Sequence, residues 1–357
     1  MTERYHHGEL LDCTRALFEK AGLAPEIAAA VAEILLEADM LGYDTHGLLF
    51  VPPYLAALEK GETTTGGVPE TVKDHGHALL LEGRGLPGQF AMTWALEQAF
   101  ARLSAPGAPA TLTVVLGGCR NISCLATYAR RAALRGHMCL VAASAPGSAV
   151  VAPHGGREGR LSTNPLAVGI PTTGHPILID TSTSATSNRQ IERHQRAGTQ
   201  LPLPSLVDAD GQPSTDPAAF FGKPRGAILP GGGVDYGHKG FALSLMVEAL
   251  TSGLLGVGRN MLAQNGNAGI GNHVFMQLFN AEAFGGLAPL ATEMTHLAAS
   301  CRASAPMHPA RPVRVPGDRA QRLFEEGMAQ GVTLHPEIMP RMAPLLEKFG
   351  VPVPQPV

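Results

Sequence analysis

The stretch "TLTVVLGGCRNISCLATYARRAALRGHMCLVAAS", residues 111–144, contains a strand, a helix and a second strand in immediate succession. A β-branched and apolar run from residue 111 enters a glycine-rich turn, as a buried strand does at its end. Residues 124–135 have helical character and stop at Gly136, a favoured residue after a helix. A second apolar run, residues 138–144, predicts another strand. Strands that alternate with helices are typical of α/β proteins.

The flanking chain extends this pattern on both sides. Before residue 111 the spacing of apolar residues predicts three N-terminal helices, a strand and a fourth helix, at 8–21, from 25, 54–60, around 77–83 and 88–103. After residue 144 it predicts short strands over 150–180, a helix from Lys239 to about Leu255 and a strand over 273–279. Residues 196–234, rich in Pro, Gly and Asp, are expected to be a surface excursion. The fold class predicted is α/β with an N-terminal helical segment.

Composition limits the class of protein. The 357 residues are 45% apolar with a formal charge of −3, which indicates a globular chain with no general attraction to nucleic acid or anionic lipid. No segment has the length and hydropathy of a signal peptide or a membrane span. The five scattered cysteines suit a reducing compartment, and no metal-ligand spacing is recognisable. We therefore expect a cytoplasmic protein without nucleic-acid, membrane or metal partners.

The common nucleotide-binding and hydrolase motifs are missing from the sequence. A Rossmann fold would show GxGxxG between a strand and a helix, and "GNAGIGN", residues 266–272, has the wrong spacing and no strand before it. There is no Walker loop, GxSxG or HExxH either. A nicotinamide, if bound, is expected to be held by something other than a Rossmann turn.

His46 stands in "DTHG", where the second helical pattern has ended at Gly42. Gly47 permits close backbone approach, and Asp44 or Thr45 can orient the imidazole. A histidine in this position can exchange a proton with a substrate near neutral pH. It can also be an ordinary helix-end histidine, and the local sequence favours that second interpretation.

Three further segments carry polar groups suited to a cofactor. Asp180 ends a β-branched strand and leads into Thr181, Ser182, Thr183 and Ser184, which form either a polar turn with Asp180 as a helix cap or a cradle for phosphate or ribose. His238 and Lys239 are expected at a helix start, where a cation is unfavourable unless an anion binds there. In "VPGDRA", Gly317 is expected in a turn, Asp318 as an N-cap and Arg319 in the first helical turn.

In order along the chain, five segments resemble the malate/L-lactate dehydrogenase family of NAD(P)-dependent oxidoreductases. They are "ADMLGYDTHGLLFVPPYLAALEKG", "APHGGREGRLSTNPLAVGIP", "ILIDTSTS", "HKGFALSLMVEAL" and "VPGDRA", and the resemblance extends over roughly residues 5–350. The family's (S/T)HG, TNP and KG motifs are intact in this sequence.

The resemblance implies a mixed-sheet, non-Rossmann α/β fold and a homodimer with NAD or NADP near the subunit interface. We expect one domain of residues 1–110 with 290–357, and a cofactor domain of residues 111–289. The resemblance also makes His46 the general acid/base, which reverses the interpretation from local sequence. It implies cofactor contacts at residues 180–184, with Asp180 also close to the chemistry, at His238 and Lys239, and at residues 317–319.

The sequence departs from the family at three places. The family commonly has an arginine four residues after its histidine, to hold the substrate carboxylate, and this chain has Phe50. Where the family has one or two histidines, an apolar residue and glycine, this chain has Arg120, Asn121, Ile122 and Ser123. Arg120 can replace the missing guanidinium and Asn121 the imidazole, so both are candidate catalytic residues. A glycine common in the family is Arg189 here.

Three functions remain open at this stage. The first is an NAD(P)-dependent dehydrogenase or reductase of a small 2-keto or 2-hydroxy acid. The second is a reductase of a cyclic imino acid such as a pyrroline- or piperideine-2-carboxylate. The third is a catalytically silent relative that binds a cofactor or metabolite, which Phe50, Arg120 and Asn121 motivate.

Overall fold

A computed structural model describes residues 3–258 and 271–357. Residues 266–270 of the segment "GNAGIGN" lie outside this description. The first half of the chain contains β1 (Arg4–Tyr5), α1 (His7–Lys20), α2 (Pro25–Met40), α3 (Val51–Glu59), β2 (Glu70–Asp74), β3 (Ala78–Glu82), α4 (Gly88–Leu103), β4 (Thr111–Cys119), α5 (Leu125–Leu134), β5 (His137–Ser144), β6 (Leu166–Ile170) and β7 (Ile177–Thr181). A 3₁₀ turn, Leu48–Phe50, precedes α3.

The second half contains a small three-stranded sheet near its start and ends in helices. It contains α6 (Asn188–Ala197), β8 (Leu206–Val207), β9 (Pro213–Ser214), α7 (Ala218–Phe221), β10 (Ala227–Ile228), α8 (Gly233–Glu248), β11 (Asn272–Asn280), α9 (Leu287–Arg302), α10 (Asp318–Gln330), β12 (Val332–Thr333) and α11 (Ile338–Lys348). A π-helical turn, Ala249–Gly253, continues α8.

The main sheet has seven strands in the order β2-β3-β4-β11-β5-β6-β7. Strands β3 and β4 are parallel, and the other neighbours are antiparallel. This arrangement confirms the predicted mixed α/β fold. Strand β11 arrives late in the chain, yet it lies at the centre of the sheet between β4 and β5.

Both faces of the sheet are covered by helices. Alternate side chains along each strand point to opposite faces, so each strand contributes to both layers. On one face Val114, Val141 and Met276 pack beneath α4 and α5. On the other face Val115 and Phe275 pack with Val247 of α8. The near-continuous apolar runs of β4, β5 and β11 follow from this double burial.

A second core joins the two ends of the chain. Side chains of α1, α2 and α3 pack with those of the C-terminal helix α11, and fully buried members include Leu17, Ile27 and Met342. Burying a side chain of this size stabilises the fold by roughly 1.5–3 kcal/mol. The N-terminal helical segment is therefore confirmed. The predicted domain division stays a prediction, although the main sheet crosses residue 110 through the pairing of β3 with β4.

Two predictions about residues 196–255 are wrong. The segment 196–234 is not only a surface excursion, because it forms a three-stranded sheet, β10-β8-β9, over a core with Leu206 and Ile228 at 0% exposure. Helix α8 begins at Gly233, so Lys239 is its seventh residue and does not stand at its N-terminus. Gly232, with φ of 100°, allows the chain to turn into the helix earlier than the apolar pattern indicated.

Candidate active site

His46 lies in the tight connection between α2 and the 3₁₀ turn that precedes α3. The backbone N–H of His46 donates to the carbonyl of Tyr43 at 2.8 Å. Gly47 is required here, because a Cβ at this position would stand 2.3 Å from the carboxylate of Asp39. The close approach expected of Gly47 from the sequence is confirmed.

Asp39, at the end of α2, braces the same connection. Its Oδ2 accepts a hydrogen bond from the backbone N–H of Leu48 at 2.7 Å, and the side chain is buried. Burial raises the pKa of Asp39 well above its usual range, against the opposing effect of the hydrogen bond from Leu48. The sequence analysis missed this residue, whose one signal was an acid on the apolar side of α2.

The imidazole of His46 is held by a neighbour and kept neutral. Nδ1 lies 2.8 Å from the hydroxyl of Thr45, and Nε2 has no hydrogen-bond partner within the described residues. Burial first, and the positive charge of Arg189 second, lower the pKa of His46 to about 4, while Asp44 opposes this shift. At neutral pH the free imidazole is therefore a proton acceptor.

His46 opens onto a cleft of about 320 Å³. Four stretches meet around it: the turn before α3, the turn before α5, the end of β5 with the following loop, and the first turn of α6. Its lining residues include Phe50, Asn121, Ile122, Ser144, Ser162, Thr163, Asn188, Arg189 and Glu192. The lining is mainly polar, with apolar contacts from Phe50, Ile122 and Leu125, so the cleft suits a small polar ligand.

Arg189 is the single Lys or Arg side chain lining this cleft within residues 3–258 and 271–357. Its guanidinium lies 5.1 Å from the ring centroid of Phe50, and Nη1 is 2.8 Å from Oε2 of Glu192. The sequence analysis singled out Arg189 only as a departure from a glycine, and did not place it in the substrate site.

Asn121 lines two neighbouring cavities, the His46 cleft and an apolar cavity, whereas Arg120 lines the apolar cavity alone of these two. Asn121 lines the His46 cleft and accepts a hydrogen bond from Tyr54 Oη at 2.7 Å. Arg120 lines a neighbouring apolar cavity of about 220 Å³, where its buried Nε has no partner within the described part of the chain. The structure therefore places Asn121 in the same cleft as His46 and Arg120 in the neighbouring cavity.

Ser123 fixes His46 from the opposite side. It has a φ of 63°, which is strained for a residue with a side chain, and the related family usually has glycine there. Its hydroxyl donates a short hydrogen bond to the carbonyl of His46. The bond offsets the strain and ties the turn before α5 to the histidine.

Asp180 caps a helix, but not the one expected. Its Oδ2 accepts from the backbone N–H of Ala126 at 2.8 Å, in the first turn of α5, while the following helix α6 is capped by Ser187. Burial raises the pKa of Asp180 to about 6, against the hydrogen bonds from Ala126 and Cys124. Asp180 does not line the His46 cleft.

The hydroxyls after Asp180 are largely engaged by the protein itself. Thr183 Oγ1 donates to the carbonyl of Thr163, Ser182 to that of Ser184, Ser184 to that of Thr186, and Thr181 to that of Ser182. Thr183 and Ser184 are buried, whereas Thr181 is exposed. The segment thus forms a polar turn held by its own hydrogen bonds. The hydroxyl oxygens that donate in these bonds can still accept a hydrogen bond from a ligand.

The other two predicted cofactor segments lie on either side of this turn. The backbone N–H of Gly231, just before α8, donates to Thr183 at 2.7 Å, and that of Leu178 donates to Pro316 at 3.2 Å. On α8 the exposed His238 ring stacks edge-on against His154, 5.7 Å between centroids, and Lys239 Nζ lies 5.1 Å from the centre of the Tyr236 ring. Residues 180–184 therefore adjoin the segment before α8, and strand β7, which leads into them, adjoins the segment before α10.

At the start of α10 the N-cap is Gly317, with φ of 100°, and Asp318 is the first helical residue. The predicted cap at Asp318 is therefore wrong by one position. Asp318 instead forms a two-bond ion pair with Arg302 at 2.6 and 3.0 Å, which lowers its pKa to about 2. Arg319 donates to the carbonyl of Gly42 at 3.4 Å.

Asn164 of the "TNP" motif has a structural role. It has a φ of 42°, is fully buried, and donates to the carbonyl of Ser244 and to Glu248 on α8. These bonds dock the strand β6 side of the cleft onto α8.

A nicotinamide is compatible with the lining of the cleft. Asn188 Oδ1, in the first turn of α6, is buried without a hydrogen-bond partner among the described residues. An unpaired buried acceptor favours a ligand donor such as a carboxamide N–H, since leaving it unpaired is costly. The cleft also carries several serine and threonine residues, including Ser148 and Thr163.

The described residues hold neither a metal-ligand cluster nor a membrane-spanning helix. Residues 3–258 and 271–357 contain no group of three or more His, Cys, Asp or Glu side chains placed to hold a metal ion. Across the same ranges, no helix combines the length and the apolar character needed to cross a membrane.

Comparison with known proteins places the chain among dehydrogenases and reductases. A family model described as malate/L-lactate dehydrogenase matches residues 5–343. The chain is 34% identical over 259 residues to the L-lactate dehydrogenase of Cupriavidus necator, covering 71% of this chain and 72% of that protein. It is also 34% identical to the Delta(1)-pyrroline-2-carboxylate/Delta(1)-piperideine-2-carboxylate reductase of Pseudomonas syringae pv. tomato, covering 71% of each.

Solved structures share the same fold over nearly the whole chain. A malate dehydrogenase from Entamoeba histolytica superposes with a TM-score of 0.90, covering 99% of this chain and 100% of that chain at 22% identity. A Delta1-piperideine-2-carboxylate reductase from Pseudomonas syringae superposes with a TM-score of 0.82 at 27% identity, covering 96% of this chain and 100% of that chain.

Proposed function

Since the chain belongs to the malate/L-lactate dehydrogenase family, we propose that it is an NAD- or NADP-dependent oxidoreductase of a small 2-keto or 2-hydroxy acid, with His46 as the proton donor and acceptor. The observation that carries the proposal is the neutral His46 imidazole on a cleft with one guanidinium, with Thr45 at its Nδ1 and Ser123 bonded to the backbone carbonyl of His46. The family supplies the reaction class, and this geometry supplies the proton-transfer group.

In the oxidation of a 2-hydroxy acid, Nε2 of His46 accepts the hydroxyl proton, because Nδ1 is held by Thr45. In the reduction, the imidazolium donates a proton to the carbonyl oxygen. The pKa of His46, about 4 in the free protein, rises when an anionic substrate enters, because the negative charge favours the imidazolium. Phe50 and Ile122 form an apolar part of the cleft wall.

A nicotinamide held in this cleft would be the hydride donor or acceptor. We propose that the buried, unpaired acceptor Oδ1 of Asn188 would bind its carboxamide, and that residues 180–184, His238, Lys239 and residues 317–319 would hold the rest of the cofactor. Support comes from the adjacency of these three segments in the fold and from the absence of a GxGxxG turn in the sequence. The choice between NAD and NADP is left to measured Kd values for the two reduced forms.

A second candidate substrate class is a cyclic imino acid. It is favoured by the similarity to the Pseudomonas syringae pyrroline/piperideine-carboxylate reductase at 34% identity. Such a substrate carries a carboxylate next to C=N, as a 2-keto acid carries it next to C=O. His46 would protonate the imine nitrogen in place of the carbonyl oxygen.

We propose a cytoplasmic homodimer as the working form. The five cysteines within the described residues are free thiols, four of them buried, as suits a reducing compartment. Helix α8 also exposes large apolar side chains next to His238 and Lys239.

The first experiment follows the loss of nicotinamide absorbance with NADH and with NADPH over a panel of substrates. The panel holds pyruvate, longer and branched 2-keto acids, oxaloacetate, and five- and six-membered cyclic imines. His46→Asn is expected to lower kcat by roughly 10²–10⁴-fold on whichever substrate turns over, the usual contribution of a general acid/base.

The matched control is His296→Asn, a substitution at an exposed histidine on α9. It is expected to leave kcat and KM unchanged. Cofactor binding without turnover on any substrate would replace the proposal with the silent-relative alternative, and full activity of His46→Asn would remove His46 from the mechanism.

A further inference from the structure

The charges that face the His46 cleft are few. Apart from His46 itself, the ionisable side chains of its lining within the described residues are Arg189 and Glu192. A 2-keto acid enters as a carboxylate, and an anion taken out of water needs a cation or several donors. The cleft offers one guanidinium for that purpose.

Helix α6 aims Arg189 at the cleft. Ser187 caps the helix by accepting from the backbone N–H of Gln190, so Arg189 stands in the first turn beside Asn188. Its guanidinium lies 5.1 Å from the centre of the Phe50 ring, and Phe50 itself packs 6.1 Å from the His46 ring. The series His46, Phe50, Arg189 therefore places a planar cation one aromatic ring away from the proton-transfer group.

We propose that Arg189 binds the carboxylate of the substrate, with Phe50 as the platform that positions its guanidinium. This inference rests on the proposed function and assigns a residue within it. Position 50 is where the related family commonly carries arginine, so the chain supplies the cation from α6 in place of the 3₁₀ turn before α3. A guanidinium matches a carboxylate by two parallel hydrogen bonds, which also fixes the orientation of the 2-keto group toward His46.

Arg120 is the alternative, and its surroundings argue against it. Its buried Nε has no partner among the described residues, but it faces the apolar cavity formed with Phe18 and Leu23. It is absent from the lining of the His46 cleft. A carboxylate held there would lie on the far side of Asn121.

Glu192 limits the number of negative charges that a substrate acid can carry. It shares the cleft lining with Arg189 and pairs with it at 2.8 Å in the ligand-free protein. One cation and one anion leave no charge to hold a second carboxylate or a sulfonate, and Glu192 repels it. The geometry therefore points to monoanionic substrates, such as pyruvate, 2-oxobutyrate or a cyclic imino acid, in preference to oxaloacetate.

The test replaces Arg189 by Met and measures both binding and turnover. Calorimetric titration of 2-oxobutyrate into the protein saturated with NAD⁺, or with NADP⁺ if that cofactor binds better, reports the carboxylate site, because the keto acid and the oxidised cofactor cannot react with each other. Arg189→Met is expected to weaken this binding by roughly 10- to 100-fold, the effect of losing a charge-assisted pair, and to leave cofactor Kd unchanged. Arg196→Met, two turns along the same helix, is the control and is expected to bind 2-oxobutyrate normally.

A relocation variant separates a direct role from a structural one. Phe50→Arg in the Arg189→Gly background returns the cation to the family's usual position, and we expect it to recover most of the binding lost in Arg189→Gly. Unchanged 2-oxobutyrate binding in Arg189→Met would overturn the proposal. So would a weakened cofactor Kd with unchanged acid binding, which would make Arg189 a cofactor residue.

Glu192→Gln tests the charge class. The ratio of kcat/KM for oxaloacetate to that for 2-oxobutyrate is expected to rise about tenfold or more, since the repelling carboxylate is gone while the amide still contacts Arg189. An unchanged ratio would contradict the role of Glu192. If the wild-type protein binds 2-oxobutyrate through Arg189 yet turns over no substrate, the proposed function fails while the assignment of Arg189 stands.

Discussion

His46 is kept uncharged by its surroundings and not by its own chemistry. The cleft removes water from the imidazole, and Arg189 adds a positive field, which together lower the pKa to about 4. The arrangement links the two residues: whatever neutralises Arg189 also makes His46 easier to protonate. A substrate anion would thus bring its own proton donor into the correct state.

This lowered pKa has a measurable effect on stability. The folded-state pKa of about 4 lies below the ordinary value of 6.5, so the unfolded chain binds the extra proton between these pH values. The contribution of His46 to stability is therefore complete above pH 6.5 and is lost as the pH falls toward 4. Relative to His46→Asn, the wild type is expected to lose about 1–3 kcal/mol of unfolding free energy between pH 7.5 and pH 4.5.

Urea denaturation of both proteins at the two pH values measures this difference. Asp180, with a pKa raised to about 6, acts in the opposite direction, since its stabilising protonated form is lost as the pH rises from 3.8 to 6. The comparison with His46→Asn cancels that background. A difference between the two proteins that does not change with pH would contradict the low pKa of His46.

At this scale the sequence supplied His46 and the intact motifs, because they are local and ordered along the chain. It named Ser123 and Arg189 only as departures from the family, because each reaches the His46 region from a distant position in the chain. It missed Asp39 because the role of this carboxylate depends on a contact with the backbone of Leu48. Ser123 is 77 residues from His46, and only the fold brings its hydroxyl to the histidine carbonyl. The sequence made Arg120 a candidate because it stands next to Asn121. Only the fold shows that Asn121 lines the His46 cleft and that Arg120 does not.

Among the elements, the connection from α2 to α3 positions His46 through tightly packed contacts. Asp39, Gly47 and Leu48 interlock through one carboxylate, and the position of His46 depends on that contact. The turn is therefore intolerant of added volume.

Gly47→Ala is expected to destabilise the protein by roughly 1–3 kcal/mol, because its Cβ would overlap the Asp39 carboxylate. It should also lower kcat/KM by about 10²-fold, since a displacement of about 1 Å at a catalytic group has that effect. Thermal unfolding and steady-state kinetics measure the two consequences.

The matched control is Gly66→Ala, where the new Cβ meets no atom within 4 Å and φ is not positive. It should change neither stability nor activity. Wild-type stability in Gly47→Ala would mean that Asp39 moves aside freely, and the bracing role would then be wrong.

Long elements with strong periodicity were predictable, including α4 over 88–103 and the strands on either side of α5. Strand β2, "ETVKD", was missed because all five residues are exposed and only its pairing with β3 makes it a strand. The small sheet of β8, β9 and β10 was missed because each strand has two residues, too few for a period. In both cases tertiary pairing supplies what local pattern lacks.

For the whole molecule, helix α8 has an apolar surface that the rest of the chain leaves exposed to solvent. Tyr236, Leu243 and Met246 are 61%, 45% and 43% exposed, and their spacing places them along one side of the helix. His238 and Lys239, proposed cofactor residues, belong to the same helix. A second copy that covers this surface would therefore also border the cofactor site.

Leu243→Asp is expected to convert the dimer to a monomer and to weaken cofactor binding, because a charge in an apolar interface is costly. Light scattering after size-exclusion chromatography gives the mass, and quenching of protein fluorescence gives the Kd of NADH. Leu134→Asp, a change at a 55% exposed leucine at the end of α5, is the control and should remain dimeric. A monomeric wild type at micromolar concentration would contradict the proposed homodimer.

The central place of β11 has a consequence for synthesis on the ribosome. When residues 1–258 have been made, β4 and β5 are both present, but the strand that belongs between them, residues 272–280, is still to come. Each half of the sheet then has an open edge that can pair with other chains. Folding of the nascent chain must wait for the last quarter of translation, and until that point the protein depends on being shielded from its neighbours.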